Sequence, residues 1–405
     1  MNRIKQVITA IPSHSINFTV HLNGQILVIM PHPDQLIRKT PVFKLNQPDD
    51  SYKFQPLPTP SGKYPYRLNL DTIVKDPSDQ KMVFHMVGDT GTVRSHDFQK
   101  VVADKMISQF KDLKDDNDQP QFLYHLGDIV YNFGESNLYA KQFFEPYSKY
   151  PAPIVAIAGN HDSDVNVENP HPYKSLEPFK QVFCDTEPRQ IPFSGDDPRK
   201  SMIQPNIYWT LESPLATIIG LHSNVTKYGI ITDAQQEWFI EELKYAAQFT
   251  DKALLVCLHH APYSADTNHG SSQPMIEFLK NAFQEANVMP DLVFSGHVHN
   301  YQRFIKKYEN GKELTFVVAG AGGYDELHPI AQPDNPAYSD ESPLFQNIEL
   351  QNYCFAHHGF LKITIVKENT GLLVQGDYYS IPHEDPDDIS LPVSHFESFE
   401  VKIER

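Results

Sequence analysis

Three times between Lys81 and Asp162 an apolar run stops at a glycine, and a residue able to bind metal follows. Val83 to Val87 leads into Gly88-Asp89-Thr-Gly91. Phe122 to Leu126 leads into Gly127-Asp128-Ile-Val-Tyr131, and Ile154 to Ala158 into Gly159-Asn160-His161-Asp162. Short apolar runs of this kind read as buried strands. Helical stretches separate them, about Ser95 to Leu113 with Phe98, Val101, Val102, Met106 and Phe110 on one face, and about Asn137 to Tyr147. Strand–helix alternation predicts a parallel sheet in an α/β fold. Sites in such sheets gather beyond the carboxyl ends of the strands, where these polar residues fall.

The pattern continues downstream. Ile207 to Leu211 and Ala216 to Gly220 read as strands, and Thr232-Asp-Ala-Gln235 as a capping box opening a helix to about Phe249. Ala253 to Leu258 ends in His259-His260-Ala-Pro262, and Leu292 to Phe294 in Ser-Gly296-His297-Val-His299-Asn-Tyr-Gln-Arg303. Gly296 lets the chain turn so that both imidazoles aim at one centre. Leu314 to Ala319 is a strand followed by Gly320-Ala-Gly-Gly323. Residues 324–355 read as loop, and Phe360 to Val366 with Gly371 to Gln375 as a closing hairpin. Residues 163–205 are polar and proline-rich and read as a surface insertion. Ahead of all this, Asn17 to Leu22 and Gln25 to Ile29 flank Asn23-Gly24 as a hairpin. Residues 1–78 are therefore expected to form a β-rich extension packed on a main domain of residues 79–405.

A chain of 405 residues can bury a large core without disulfides. Its formal charge of −17, from 51 acids against 34 bases, argues against nucleic acid or anionic membrane as partner. No apolar window is long enough to span a bilayer. Cys184, Cys257 and Cys354 are far apart and odd in number, which fits neither a zinc motif nor a disulfide framework. The first residues make a poor signal peptide, so the chain as written is expected in the cytoplasm, or secreted if a signal has been trimmed.

The strand-end residues collect into one set: Asp89, Asp128, Tyr131, Asn160, His260, His297 and His299, with His161 beside them. Each alone has an ordinary explanation as a turn, cap or core residue. Together, carboxylate, phenol, amide and imidazole suit hard to borderline cations. Seven ligands exceed one tetrahedral zinc and fit two metals sharing a bridge.

In order, the five motifs resemble those of the calcineurin-like metallophosphoesterases, and Tyr131 resembles the mark of their purple acid phosphatase branch. The resemblance covers about Met82 to Arg303. It implies a β-sandwich flanked by helices, in αββα layers. It implies that Asp89, Tyr131 and His299 bind a first metal, that Asn160, His260 and His297 bind a second, and that Asp128 bridges. Fe(III) is implied at the first site, where two carboxylates and a phenolate would balance a trivalent charge; Zn, Mn or Fe(II) suits the second. The implied activity is phosphomonoester hydrolysis of a small phosphate ester by a hydroxide shared between the metals. His161 and His269 are the candidate proton donors. A phosphodiesterase and a non-catalytic metal-binding protein are the alternatives. Tyr131 favours the monoesterase, and the complete ligand set opposes the last. His259 has no counterpart in the motifs and is read as structural or as support to a ligand. Two departures stand out: Asp162 where plant members usually carry Glu, and Asn300 and Gln302 in place of an Ala and a Glu.

Overall fold

The computed structural model describes residues 18–22, 25–29 and 40–404, apart from 93, 95–96, 113–117, 333 and 385–389. Two sheets face each other. The six-stranded sheet runs, in spatial order, Ser394–Glu404, Gly371–Pro382, His357–Glu368, Lys81–Val87, Leu123–His125, Ile154–Ala156. Its last three strands are parallel, as the alternation predicted, and the others antiparallel. The eight-stranded sheet runs Ile348–Cys354, Tyr301–Lys307, Glu313–Ala319, Leu292–Ser295, Ala253–Leu258, Ala216–Gly220, Trp209–Glu212, Arg67–Asn69. Its centre, from Glu313–Ala319 to Ala216–Gly220, is parallel.

The core between the sheets is aromatic and β-branched, as strands buried on both faces require. Phe84 stacks on Phe122 at 4.8 Å between ring centres, and Tyr124 lies on Trp209 at 5.9 Å. Leu255, Cys257, Phe294, Ile363 and Val374 complete the layer. All three cysteines are buried thiols. Helix Asp97–Asp112 covers the outer face of the six-stranded sheet with Val101, Val102 and Met106. Helices Asp233–Ala246 and Gln273–Ala286 pack together on the other sheet, Phe239 against Phe278 at 5.5 Å. The layers are thus αββα, with β-rich chain ahead of them. Phe18–Leu22 pairs antiparallel with Gln25–Ile29, the hairpin expected around Asn23-Gly24, though those two turn residues lie outside the described ones. Among the described residues no helix is long and apolar enough to cross a membrane.

Several elements depart from the periodicity. Nothing was expected between Pro262 and Leu292, yet helix Gln273–Ala286 fills it, capped by Ser272, whose hydroxyl accepts the Met275 N–H at 3.2 Å. The stretch 137–147 is not one helix. It winds as short turns over Ser136–Leu138, Ala140–Phe144 and Glu145–Tyr147, and Pro146 has no N–H to donate to a helix. The 163–205 insertion is packed rather than superficial: helix Glu177–Phe183 buries Phe179, Val182 and Phe183. Within 324–355, Ile348–Cys354 is an edge strand, and the closing hairpin extends to Pro382 and gains a third strand, Ser394–Glu404. Thr232 does cap its helix, but Gln235 turns inward and clasps both backbone groups of His222 at 2.8 Å.

Two buried imidazoles outside the predicted ligand set titrate abnormally. Burial pulls His85 and His358 down to about 3. Unfolded, each takes a proton near 6.5. Between those values the unfolded state binds more protons, so stability is full above pH 6.5 and is lost as pH falls. Each imidazole should cost roughly 2 kcal/mol of stability at pH 5. Urea midpoints of the metal-free protein at pH 7.5 and pH 5 should show the fall, and His85→Gln should reduce it; equal midpoints would contradict the burial of neutral imidazoles.

Candidate metal centre

All the strand-end residues arrive at one place because the carboxyl ends of the parallel strands in both sheets open on the same edge. Hydrogen bonds stitch that edge across the sandwich. Gly88 N–H donates to the Ala319 carbonyl at 2.9 Å, and Gly322 N–H to Gly88 at 3.0 Å. His259 Nδ1 donates to the Leu126 carbonyl at 2.8 Å, which leaves Nε2 facing the site. Three predicted ligands take left-handed backbone conformations: Asp89 (φ 57°), Asp128 (φ 55°) and His297 (φ 67°). Such angles are uncommon outside glycine, and at strand ends they turn a side chain out of the pleat toward the centre. Glycines make room beside them. A Cβ on Gly159 would lie 2.1 Å from Asp128 Oδ1, and one on Gly296 would lie 2.6 Å from Asp89 Oδ2.

Two groups of donors form around Asp128. On one side the Tyr131 hydroxyl lies 3.0 Å from Asp128 Oδ2, 3.3 Å from Asp89 Oδ1 and 3.2 Å from His299 Nε2. On the other side Asn160 Oδ1 lies 2.9 Å from His297 Nδ1 and 3.1 Å from His259 Nε2. His259 Nε2 is itself 3.2 Å from Asp128 Oδ2. The His260 ring sits 4.2 Å from that of His297, its Nδ1 against Ser223 Oγ at 2.7 Å. So the seven predicted ligands converge, and His259 joins them. Among the described residues, Asp128, His259 and His297 bring one potential ligand atom each within 4.8 Å of one another. Sequence patterning left His259 out because His260 holds the motif register; the alternation of a strand end, which puts neighbours on opposite faces, is the only hint it offers.

The electrostatics call for a cation. Asp89 and Asp128 are fully buried, and among the described residues no Lys or Arg pairs with either. Burial raises the Asp89 carboxyl well above its usual range, His259 opposing and Asp128 reinforcing. Burial works against the Asp128 charge as well, yet His259 and His161 hold it well below the usual range. Burial disfavours charge on His259, but Asp128 overrides this and lifts it to about 9. Burial keeps His260, His297 and His299 neutral, the state in which imidazole binds metal. His260 Nε2 is buried with no hydrogen-bond partner. An orphaned acceptor, neutral imidazoles and two carboxylates without a basic side chain fit a pair of metal ions.

The surroundings explain the two departures. Asp162 accepts the N–H groups of Ile129, Val130 and Gly159 at 2.9–3.2 Å, so its shorter side chain ties the second motif to the third. Gln302 accepts Ala265 N–H and donates to Ser264 and Asn300, while Asn300 donates to the His328 carbonyl. These amides hold the loop that carries His269. Its ring packs at 4.0 Å on His297, with Nδ1 buried and unpartnered. The His161 ring packs on Tyr131 at 4.2 Å, tilted by 32°; its backbone N–H donates to Asp128 Oδ1 and its Nδ1 meets the Asn132 carbonyl at 2.9 Å. Arg303 is committed to Glu397 and Arg94 to Glu326. Spacing assigns no role to the loop after Gly320–Gly323, yet Tyr324 packs on both Tyr131 and His299 at 4.4 Å, and the Glu326 carbonyl accepts from His299 Nδ1. The glycine run closing one more strand was the available signal.

Comparison with known proteins agrees with this edge of the fold. Residues 82–301 match the family model for calcineurin-like phosphoesterases. Purple acid phosphatase 1 of Ipomoea batatas is 25% identical over 294 residues, 68% of this chain and 54% of that protein. Purple acid phosphatase 15 of Arabidopsis thaliana is 26% identical over 197 residues, 47% of this chain and 33% of that protein. The chain thus spans about a third to a half of the length of these curated relatives. The purple acid phosphatase PPD1 of yellow lupin (Lupinus luteus) seeds superposes with a TM-score of 0.54 at 17% identity, over 81% of this chain and 55% of that one, a likeness of fold. The family model covers more than half of the chain and runs from the first strand-end aspartate to the last histidine pair, and the chain belongs to the calcineurin-like phosphoesterase family.

Proposed function

We propose that this chain is a metal-dependent phosphoester hydrolase acting on phosphomonoesters at a dinuclear centre. The observation that carries the reading is Asp128, a buried carboxylate in contact with both donor groups. Asp89, Tyr131 and His299 would hold one ion, and Asn160, His260 and His297 the other, with Asp128 shared. Bound there, the pair would polarise a phosphoryl oxygen and activate water for attack. His259, its Nδ1 fixed on Leu126, orients Asp128 from the side of the second group.

The chain's own residues handle the leaving group. Expulsion of an alkoxide needs a proton, and two imidazoles border the centre from different loops. His161 Nδ1–H donates to the Asn132 carbonyl, so Nε2 is the nitrogen that would take up a proton and pass it to the leaving group. His269 is held by Asp266, which accepts the backbone N–H groups of Asn268, His269 and Gly270. Tyr131 supports the phosphomonoesterase reading. Burial, then Asp128 and Asp89, raise its hydroxyl well above the ordinary value, so only a strongly charged ion would hold it as phenolate. That favours Fe(III) at the first site, with Zn, Mn or Fe(II) at the second.

Elemental analysis of active protein should give two metal ions per chain, and Asp128→Asn should empty both sites, since it removes the shared charge. One ion per fully active chain would sink the dinuclear reading. His161→Ala should lower kcat about 10²- to 10⁴-fold toward an alkyl phosphate and much less toward nitrophenyl phosphate, with metal content kept; equal rates with the alkyl ester would remove it as donor. The oxidised, iron-loaded protein should be violet, and Tyr131→Phe should bleach it while retaining some hydrolysis. An iron-loaded wild type without a visible band would exclude Tyr131 as a ligand and turn the assignment toward a phosphodiesterase.

A further inference from the structure

We infer that Lys44 and Lys227 form a cationic rim on this site and select phosphoesters that carry a second anionic group. The inference rests on the phosphoesterase reading and adds a substrate class to it. The chain carries −17 overall, so two ammonium groups gathered beside a candidate active site stand out against their background.

Lys227 belongs to a turn pressed against the histidines. Its carbonyl lies 3.1 Å from His297 Nε2, and Ser223 of the same turn bonds His260. A side chain on Gly229 would touch the His260 ring at 3.3 Å. Lys44 comes from chain far ahead of the family match. Phe43–Lys44 pairs antiparallel with Tyr338–Ser339, and Lys44 packs against Gly270, the neighbour of His269. Its Nζ donates to the Asn268 carbonyl at 2.9 Å. Residues 47 and 55 fasten the same arm: Gln47 donates to the Ser271 carbonyl at 2.8 Å, and the Gln55 backbone exchanges two hydrogen bonds with Asn224. The arm therefore spans the turn that carries Lys227 and the loop that carries His269.

The charges that act on Lys227 come from Lys44, Lys53, Asp266 and Asp50. Both carboxylates are committed. Asp266 accepts three backbone N–H groups and lies 3.0 Å from His328 Nδ1. Asp50 accepts the Lys227 N–H at 2.9 Å and pairs with Lys53 at 3.7 Å. The Lys44 ammonium has a neutral carbonyl for its partner, and among the described residues no carboxylate lies within 4 Å of Lys227 Nζ. The scissile phosphoryl group would occupy the metal centre. A second phosphate or carboxylate on the same molecule would meet the rim, where partial burial strengthens a charge pair.

The test compares fructose 1,6-bisphosphate with fructose 6-phosphate on the metal-loaded full chain. The kcat/KM ratio should favour the bisphosphate by at least tenfold at low ionic strength and shrink as salt is added. Lys44→Gln and Lys227→Gln should each lower the ratio roughly three- to tenfold, mainly through KM, and Lys227→Arg should restore it. A wild-type ratio near one, or an unchanged ratio in the double glutamine variant, overturns the rim. Calorimetric binding of the same two sugars needs no turnover. Preferential binding of the bisphosphate without hydrolysis would keep the rim and remove the phosphoesterase reading; hydrolysis without preference would do the reverse.

Discussion

Asp89 and Asp128 are buried carboxylates, side by side at the edge where the two sheets meet. Burying an unpaired charge costs several kcal/mol or more, and two like charges make it worse. The fold meets this with backbone N–H groups and imidazoles: His297 N–H on Asp89, His161 N–H and His259 on Asp128. None of these is a full counter-charge except a protonated His259. The rest of the edge tolerates that deficit, which a cation would relieve. The surrounding imidazoles stay neutral, the Tyr131 hydroxyl keeps its proton, and left-handed turns hold the carboxylates inward.

Reach explains why a sandwich suits such a centre. Ligands drawn from strand ends of one sheet would lie in a row. Here Asp89, Asp128 and Asn160 come from the six-stranded sheet, while His259, His260, His297 and His299 come from the eight-stranded one. Donors therefore surround the centre from two walls. Their rigidity is inherited from the strands, and the cross-sheet bonds through Gly88 and Leu126 fix one wall to the other.

Much of this was legible because strand ends punctuate themselves. A buried strand is a short apolar run, and glycine followed by a ligand marks its exit, so Asp89, Asp128, Asn160 and His297 could be named from spacing. What was illegible depended on partners distant in sequence. His259 differs from His260 only by which face of a strand end it takes. Lys44, Asp266 and Tyr324 have no motif, and they gain meaning only when loops from residues 40–57, 264–271 and 320–328 are brought together. Edge strands such as Ile348–Cys354 alternate buried and exposed residues too weakly to separate from loop. Helix Gln273–Ala286 is the exception: Ser272, Pro274 and the apolar spacing after them carried its signal in full.

The order of strands bears on which part of the chain is heritable as a unit. The hairpin-like pair Leu292–Ser295 and Tyr301–Lys307, which brackets the last two histidines, is not self-paired: Glu313–Ala319 lies between them. Likewise Lys81–Val87, which presents the first aspartate, leans on His357–Glu368. Both partners lie beyond the segment that carries the family's signature. A splice product, proteolytic fragment or transplanted module limited to residues 82–301 would leave unpaired strand edges on both sheets, and open edges template aggregation. Recombination that preserves every motif can thus still destroy the protein, so sequence change in the carboxyl-terminal strands is under the same structural veto as change at the histidines.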